Sequence, residues 1–279
     1  MKIRHEDLIG SFEQKKKLVA QFSLFHDIFF SVVMRDKDAA EYVLRLCMDM
    51  PDLKILRSNT QQALRNIIGK SSTLDFVAQD SDGKIYNIEV QNSDSSSYFG
   101  AKRSRYYQSL IDSAFVEKGM DYDKLPEVYI LFLTPFNPLE KYGRHKVIYR
   151  KHSDLDGVDW DNGVHEIYIN AQEKDATKLS EMMQYFITAN PEDNRFGALS
   201  DAVNKQKTDT EEVSFMCKEV EEYANERAAK AAAEAAAKAA AKAASKTVKS
   251  LLDDGMPLEK ALKHADISKE TYDKYKDIV

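Results

Sequence analysis

The chain has little cysteine: two residues in 279, Cys47 and Cys217. Both stand in apolar, helical-looking contexts without CxxC or Cys/His spacing. That argues against a disulfide framework or a zinc site and makes a reducing cytoplasm the expected compartment. The six histidines are scattered, with no HExxH. No window approaches about 18 consecutive apolar residues, so no membrane span is expected. The first twenty residues, "MKIRHEDLIGSFEQKKKLVA", carry charges throughout and no apolar region of signal-peptide type. A basic excess is also missing, with 40 Lys and Arg against 46 Asp and Glu. A net charge of −6 argues against a protein that coats nucleic acid. It leaves room for one basic patch on a protein whose acids are offset by bound cations.

Apolar residues make up 43% of the chain, enough for a proper core. The length suits one large domain with an appendage. "LFHDIFFSVVM" and "DKDAAEYVLRLCMDM" carry apolar residues at three- and four-residue spacing, predicting two helices, the second stopped by Pro51. A strand is expected near 53–58, then a hairpin over 73–91. "SYFGAKRSRYYQSLIDSAFVEKG" follows as a long amphipathic helix, with Phe99, Arg103, Tyr107, Leu110 and Ala114 near one face. "EVYILFLTP" is a continuous apolar run, as in a central strand covered on both faces. "RHKVIYRK" and "VHEIYIN" add two strands around the polar loop "HSDLDGVDWDNG". This order predicts a mixed sheet with helices packed on it.

Beyond about residue 175 the pattern is helical. Residues 208–252 contain no glycine or proline. One continuous helix there would run roughly 65 Å at about 1.5 Å per residue. Val213, Met216, Val220 and Tyr223 form a seam that could pack on the domain or pair with a partner. The alanine tract that follows, with Glu234 four residues before Lys238, is expected to form a semi-rigid spacer. Gly255 ends it, and "MPLEKALKHADISKETYDKYK" reads as a short helical hairpin with Ser268 as N-cap. The expected domains are therefore 1–207, a rod over 208–252 and a tail over 253–279.

The stretch "TLDFVAQDSDGKIYNIEVQ" places Asp75, Glu89 and Gln91 among alternating apolar residues. Strand interiors disfavour Asp, and a buried charge needs a partner or a metal. The "SDG" connection fits a three-residue loop with glycine in the left-handed conformation. That sets Asp80 opposite Lys84 and Asp75 opposite Glu89. One face then carries Leu74, Phe76, Ala78, Tyr86, Ile88 and Val90. The other carries Asp75, Val77, Gln79, Ile85, Asn87, Glu89 and Gln91, and is expected to point away from the core. Asp75 and Glu89 become cross-strand neighbours, with Cβ atoms about 4.5–5.5 Å apart. Such a pair repels unless one acid is protonated or a divalent cation lies between them. Mg²⁺ typically takes one or two carboxylates and keeps several waters. The residues alone leave one alternative open, a solvated strand face carrying incidental acids.

An Asp on one strand followed by Glu-x-Gln on the next, across an "xDG" hairpin, resembles the signature of PD-(D/E)XK nucleases. With "KRSRYYQ" on the following helix, the stretch is similar to the recombination-promoting nuclease (Rpn) and transposase group of that superfamily. The resemblance takes in "HDIFFSVVM" and "PEVYILFLTPF" and covers roughly residues 22–190. It implies an α/β fold: a restriction-endonuclease-like core, a mixed sheet flanked by helices, followed here by a long C-terminal helix and small tail. It implies Asp75 and Glu89 as metal-binding carboxylates, the Val90 backbone carbonyl as a further ligand, and Gln91 in place of the usual lysine beside the attacking water. Arg103 and Tyr107 match the helix motif, and Lys102 and Arg105 add basic charge suited to phosphate contacts. Asp27 is the candidate accessory acid and Glu41 its reserve. The cofactor implied is Mg²⁺ or Mn²⁺ and the partner is DNA, with a homodimer through the C-terminal helix as a further expectation.

The function expected from these features is metal-dependent hydrolysis of DNA phosphodiester bonds, linked to recombination or mobile elements. The rival is a catalytically weak DNA-binding or assembly protein of a transposase-like family.

Overall fold

The computed structural model describes residues 11–64, 72–92, 101–116, 119–138, 147–150, 162–276 and 278. Phe99 and most of the "HSDLDGVDWDNG" loop lie outside them. Three helices come first: α1 (Phe12–Ala20), α2 (Asp27–Val33) and α3 (Lys37–Met48). Asp36 caps α3 by accepting from the Ala39 N–H, and Asp49 ends it in the left-handed region before Pro51. β1 (Ile55–Leu64), β2 (Ser72–Asp80) and β3 (Ile85–Val90) follow, then α4 (Ala101–Phe115), β4 (Val128–Thr134), β5 (Val147–Arg150) and β6 (Val164–Asn170). The helices α5 (Lys178–Thr188), α6 (Ala198–Thr208) and α7 (Thr210–Asp253) lead to the short α8 (Leu258–His264) and α9 (Lys269–Tyr275).

The strands form one sheet in the order β1-β2-β3-β4-β6-β5. β1, β2 and β3 pair antiparallel; β3, β4 and β6 pair parallel; β5 runs antiparallel to β6. The sheet is mixed and flanked by helices, as the sequence pattern implies. β4 and β6 are buried at every position, the condition of strands covered on both faces. β1 extends well past the apolar stretch that announces it, into "SNTQQ". Pairing with β2 supplies the main-chain bonds that local propensity does not.

The β2–β3 hairpin takes the three-residue register. The Asp80 N–H donates to the Lys84 carbonyl at 3.1 Å, and Gly83 adopts φ +86°. A larger side chain there would face backbone strain, so glycine fixes the turn. Asp80 locks it: Oδ1 accepts from the Asp82 and Lys84 N–H groups at 2.9 Å each, and Oδ2 from the Tyr86 hydroxyl at 2.8 Å. Tyr86 stacks on Tyr129 of β4, which stacks on His165 of β6, so the turn is tied into three strands.

One expectation is corrected. The face bearing Asp75 and Glu89 does not point away from the core. Tyr107, Leu110 and Ile111 of α4 pack against it with Val77, Ile85, Val128, Ile130 and Phe132. All six residues of β3 are buried, so both faces of the hairpin's inner strand are covered.

The chain divides into two compact units, 1–219 and 220–279, a division that falls inside α7. In the first, Val213 and Met216 are fully buried, so that part of the seam packs within the chain. The buried Lys207 donates to the Ala20 and Phe22 carbonyls, tying α6 to the end of α1. In the second, Val248, Ala261 and Tyr272 form a small core with Leu251, Leu252, Leu258 and Leu262. Ser268 caps α9 there through the Thr271 N–H. Both cysteines are free and buried. Among the described residues no helix is long and apolar enough to cross a membrane.

Replacing Asp80 by Ala removes three bonds to a charged acceptor and strands the Tyr86 hydroxyl. The expected loss is roughly 3 kcal/mol, read as a lower urea midpoint at unchanged slope, with Asp80→Asn losing less.

Candidate active site

The hairpin ladder runs from the turn to the Phe76–Ile88 pair and stops. The register then brings Asp75 opposite Glu89, and the two side chains take over the main-chain bonding. Asp75 Oδ2 accepts from the Val90 N–H at 3.0 Å, and Glu89 Oε1 accepts from the Asp75 N–H at 3.2 Å. Each acid is thereby anchored to the opposite strand. Phe132 on β4 is the next residue along this line, and Tyr107 of α4 stacks over it at 6.4 Å. Glu89, between the hairpin and this aromatic pair, is 1% exposed. Asp75 keeps part of its surface open. The alternative of a solvated strand face is thus excluded.

Arg103 reaches the pair from α4. Its Nη1 donates to Gln91 Oε1 at 2.6 Å, its Nε to the Tyr107 hydroxyl at 2.6 Å, and its Nη2 lies 3.4 Å from Glu89 Oε2. The one-turn spacing of Arg103 and Tyr107 puts both on the inward face of the helix. Lys102 and Arg105 are exposed on its solvent side.

One guanidinium does not neutralise this environment. Burial pushes the Asp75 carboxyl well above its usual range, and the charges of Glu89 and then Asp27 push it further. The Val90 N–H and Arg103 oppose that shift. Burial raises Glu89 to about 7, against the opposing effects of Arg103, the Asp75 N–H, Asn87 and Tyr107. Two adjacent acids so placed, with Arg103 the one cation acting on both among the described residues, favour taking up a proton or further positive charge.

Asp27, the first residue of α2, acts electrostatically on Asp75. Glu41 is committed elsewhere, to Arg45, to Lys54 at 3.6 Å and to the Ile55 N–H at 2.9 Å. It ties α3 to the start of β1, so the reserve acid is structural. Two polar residues given no role above also stand out. Gln61 lies between the Thr60–Phe76 and Gln62–Leu74 pairs of β1 and β2, hence opposite Asp75, with φ +51° and a buried Nε2 lacking a hydrogen-bond partner. Asn87 is fully buried, and neither Oδ1 nor Nδ2 completes a hydrogen bond of ordinary geometry. Asn87's place on the acid face is visible from strand alternation, but its isolation is a property of the packing.

The donors suit a hard divalent cation: two carboxylates plus the Val90 carbonyl, which strand geometry directs to the same side as the Val90 N–H, toward Asp75. Among the described residues no cluster of three His, Cys, Asp or Glu side chains forms a metal cage. Mg²⁺ does not require one, because it commonly keeps waters in its remaining positions. The raised pKa of both acids is the second sign of fit, since a cation would supply the missing charge.

A family model described as "PD-(D/E)XK nuclease family transposase" matches residues 49–241. No curated protein and no solved structure matches the chain.

A pH dependence follows. The stability that protonated Glu89 contributes is fully present below its unfolded value near 4.5 and is lost as pH rises through about 7. Glu89→Gln cannot ionise. With chelator present, the melting temperature of Glu89→Gln relative to native protein should therefore climb between pH 5 and pH 8. A difference flat across that range contradicts a buried, under-neutralised pair.

Proposed function

The chain belongs to the PD-(D/E)XK nuclease family transposases, and from that premise we propose that it is a metal-dependent DNA endonuclease acting through Asp75 and Glu89. One observation carries the reading: two carboxylates, Glu89 buried and Asp75 half-buried, face each other where a β-ladder ends, with raised pKa values and bordered by Arg103 and Gln91. An ordinary core would not retain such a pair, because buried acids without neutralising charge oppose folding.

In this reading Asp75, Glu89 and the Val90 carbonyl hold Mg²⁺ or Mn²⁺. When bound, the cation supplies charge to a phosphodiester oxygen and acidifies water. The protein's own groups do the rest. The Val90 and Asp75 N–H bonds hold the two carboxylates in place, so little reorganisation is needed when substrate enters. Gln91 Oε1 accepts from Arg103, and its Nε2 donors are assigned to the attacking water or a phosphate oxygen. Hydrolysis then joins the water oxygen to phosphorus and breaks the bond to the leaving sugar oxygen.

Arg103 bears on the family's usual lysine. Gln91 carries no charge, but the guanidinium that reaches Gln91 and Glu89 from α4 brings a fixed positive charge to the same place. Arg103 is thus assigned both the electrostatic part of the lysine's role and contact with the phosphate. Lys102 and Arg105, exposed on the same helix, are assigned backbone phosphate contacts outside the reacting centre. Asp27 is assigned as an accessory acid acting on Asp75.

A second reading, DNA binding with little catalysis, draws on the amide at position 91, which cannot serve as a base.

The purified protein should nick supercoiled plasmid in Mg²⁺ or Mn²⁺ but not in Ca²⁺. Asp75→Ala and Glu89→Ala should each abolish nicking, while Arg103→Ala should lower it by at least about tenfold and Arg103→Lys recover part of it. Nicking that survives Asp75→Ala refutes the assignment, and DNA binding without nicking by native protein favours the second reading.

A further inference from the structure

Asn87 is the fully buried polar residue on the acid-bearing face of β3 that the proposed chemistry leaves unused. Its register partners are Val77 on β2 and Ile130 on β4. Both belong to the apolar cluster that α4 covers, as does Ile85 two residues earlier on the same face. An amide in these surroundings is out of place. Its carbonyl oxygen and its NH₂ are both shut off from solvent, and neither completes a hydrogen bond of ordinary geometry. Leucine or valine would fill the position without that cost, and buried polar groups left unsatisfied call for an explanation.

The explanation lies two residues along the strand. With period two, Asn87 and Glu89 project from the same face. The amide favours the charged form of Glu89, the next residue on that face, whose two oxygens are engaged by the Asp75 N–H and Arg103 Nη2. We propose that Asn87 is a positioning residue for Glu89: its buried Nδ2 donates to the carboxylate and holds that group in its cation-binding orientation. The inference rests on the reading that Asp75 and Glu89 bind a divalent cation, and it adds a residue to that site. Asn87 does not touch cation or substrate. It acts through Glu89, in the way that outer-shell partners fix the orientation of ligating carboxylates.

A supporting role in packing and a positioning role predict different things. If Asn87 only filled space, the near-isosteric Asn87→Leu would keep cation affinity. If Asn87 positions Glu89, affinity falls while the cation-free fold keeps its stability, because the lost contact with Glu89 is offset by removing from an apolar cluster an amide that completes no ordinary hydrogen bond.

The test is calorimetric titration of the full chain with Ca²⁺, at a temperature where circular dichroism shows each protein folded, together with cation-free melting. Expected is a Ca²⁺ dissociation constant about 10- to 100-fold weaker for Asn87→Leu, with no drop in cation-free melting temperature. Asn87→Ser, too short to reach Glu89, guards against misfolding of the first variant and should show the same loss of affinity. Native-like affinity in either folded variant overturns the inference and leaves the metal site standing. Failure of native protein to bind Ca²⁺ and Mn²⁺ overturns both.

Discussion

Two carboxylates held side by side, Glu89 out of water and Asp75 half out of it, set the terms for the rest of this molecule. Asp75 and Glu89 repel each other, lose hydration and, among the described residues, have the Arg103 guanidinium as the cation acting on both. The fold supports this arrangement by anchoring each acid to a main-chain N–H on the opposite strand. It also commits the surrounding framework. The Asp80-locked turn sets the register, the cross-strand aromatic stacks fix β3 against β4 and β6, and α4 closes over the acid face. Slipping that register by one residue would put the two acids on opposite faces and dissolve the site.

The same constraint explains why the hairpin ladder ends where it does. Beyond Phe76 and Ile88, continued pairing would use the Val90 N–H for a strand–strand bond. Asp75 takes that donor instead. The strands exchange regular pairing for a place where side-chain oxygens and a backbone carbonyl converge. Gln61, held in the left-handed region opposite Asp75, carries backbone strain at the same level of the sheet. Such strain persists only where surrounding structure enforces it, and it concentrates at functional sites.

Much of this was legible in the residues. "SDG" announced a three-residue turn, and counting back from it paired Asp75 with Glu89. Apolar continuity announced β4 as a central strand, and the breaker-free stretch after residue 208 announced α7. Burial of the acid face was not legible. Its coverage depends on α4 folding back over the hairpin, and Tyr107, Leu110 and Ile111 show only a helical stripe without saying which surface it meets. Glu41 shows the same limit. An acid on an early helix fits an accessory ligand by type, but Arg45 and the Ile55 N–H decide its role. The full length of β1 is not legible because "SNTQQ" has no strand pattern of its own; β2 imposes one.

Arg103 joins these strands of argument. A lysine two residues after Glu89 would carry its charge on the same strand as the acid, in a position fixed by the sheet. Placing the charge on α4 makes the site depend on helix docking instead. Arg103 is positioned through Tyr107, which stacks over Phe132, which is buried against Tyr168. The aromatic packing of the core therefore reaches the electrostatics of the acid pair through a short chain of contacts. Loosening that packing would withdraw the guanidinium and leave two buried acids facing each other with their full repulsion. In this protein stability of the α4 interface and readiness of the site are set by the same side chains.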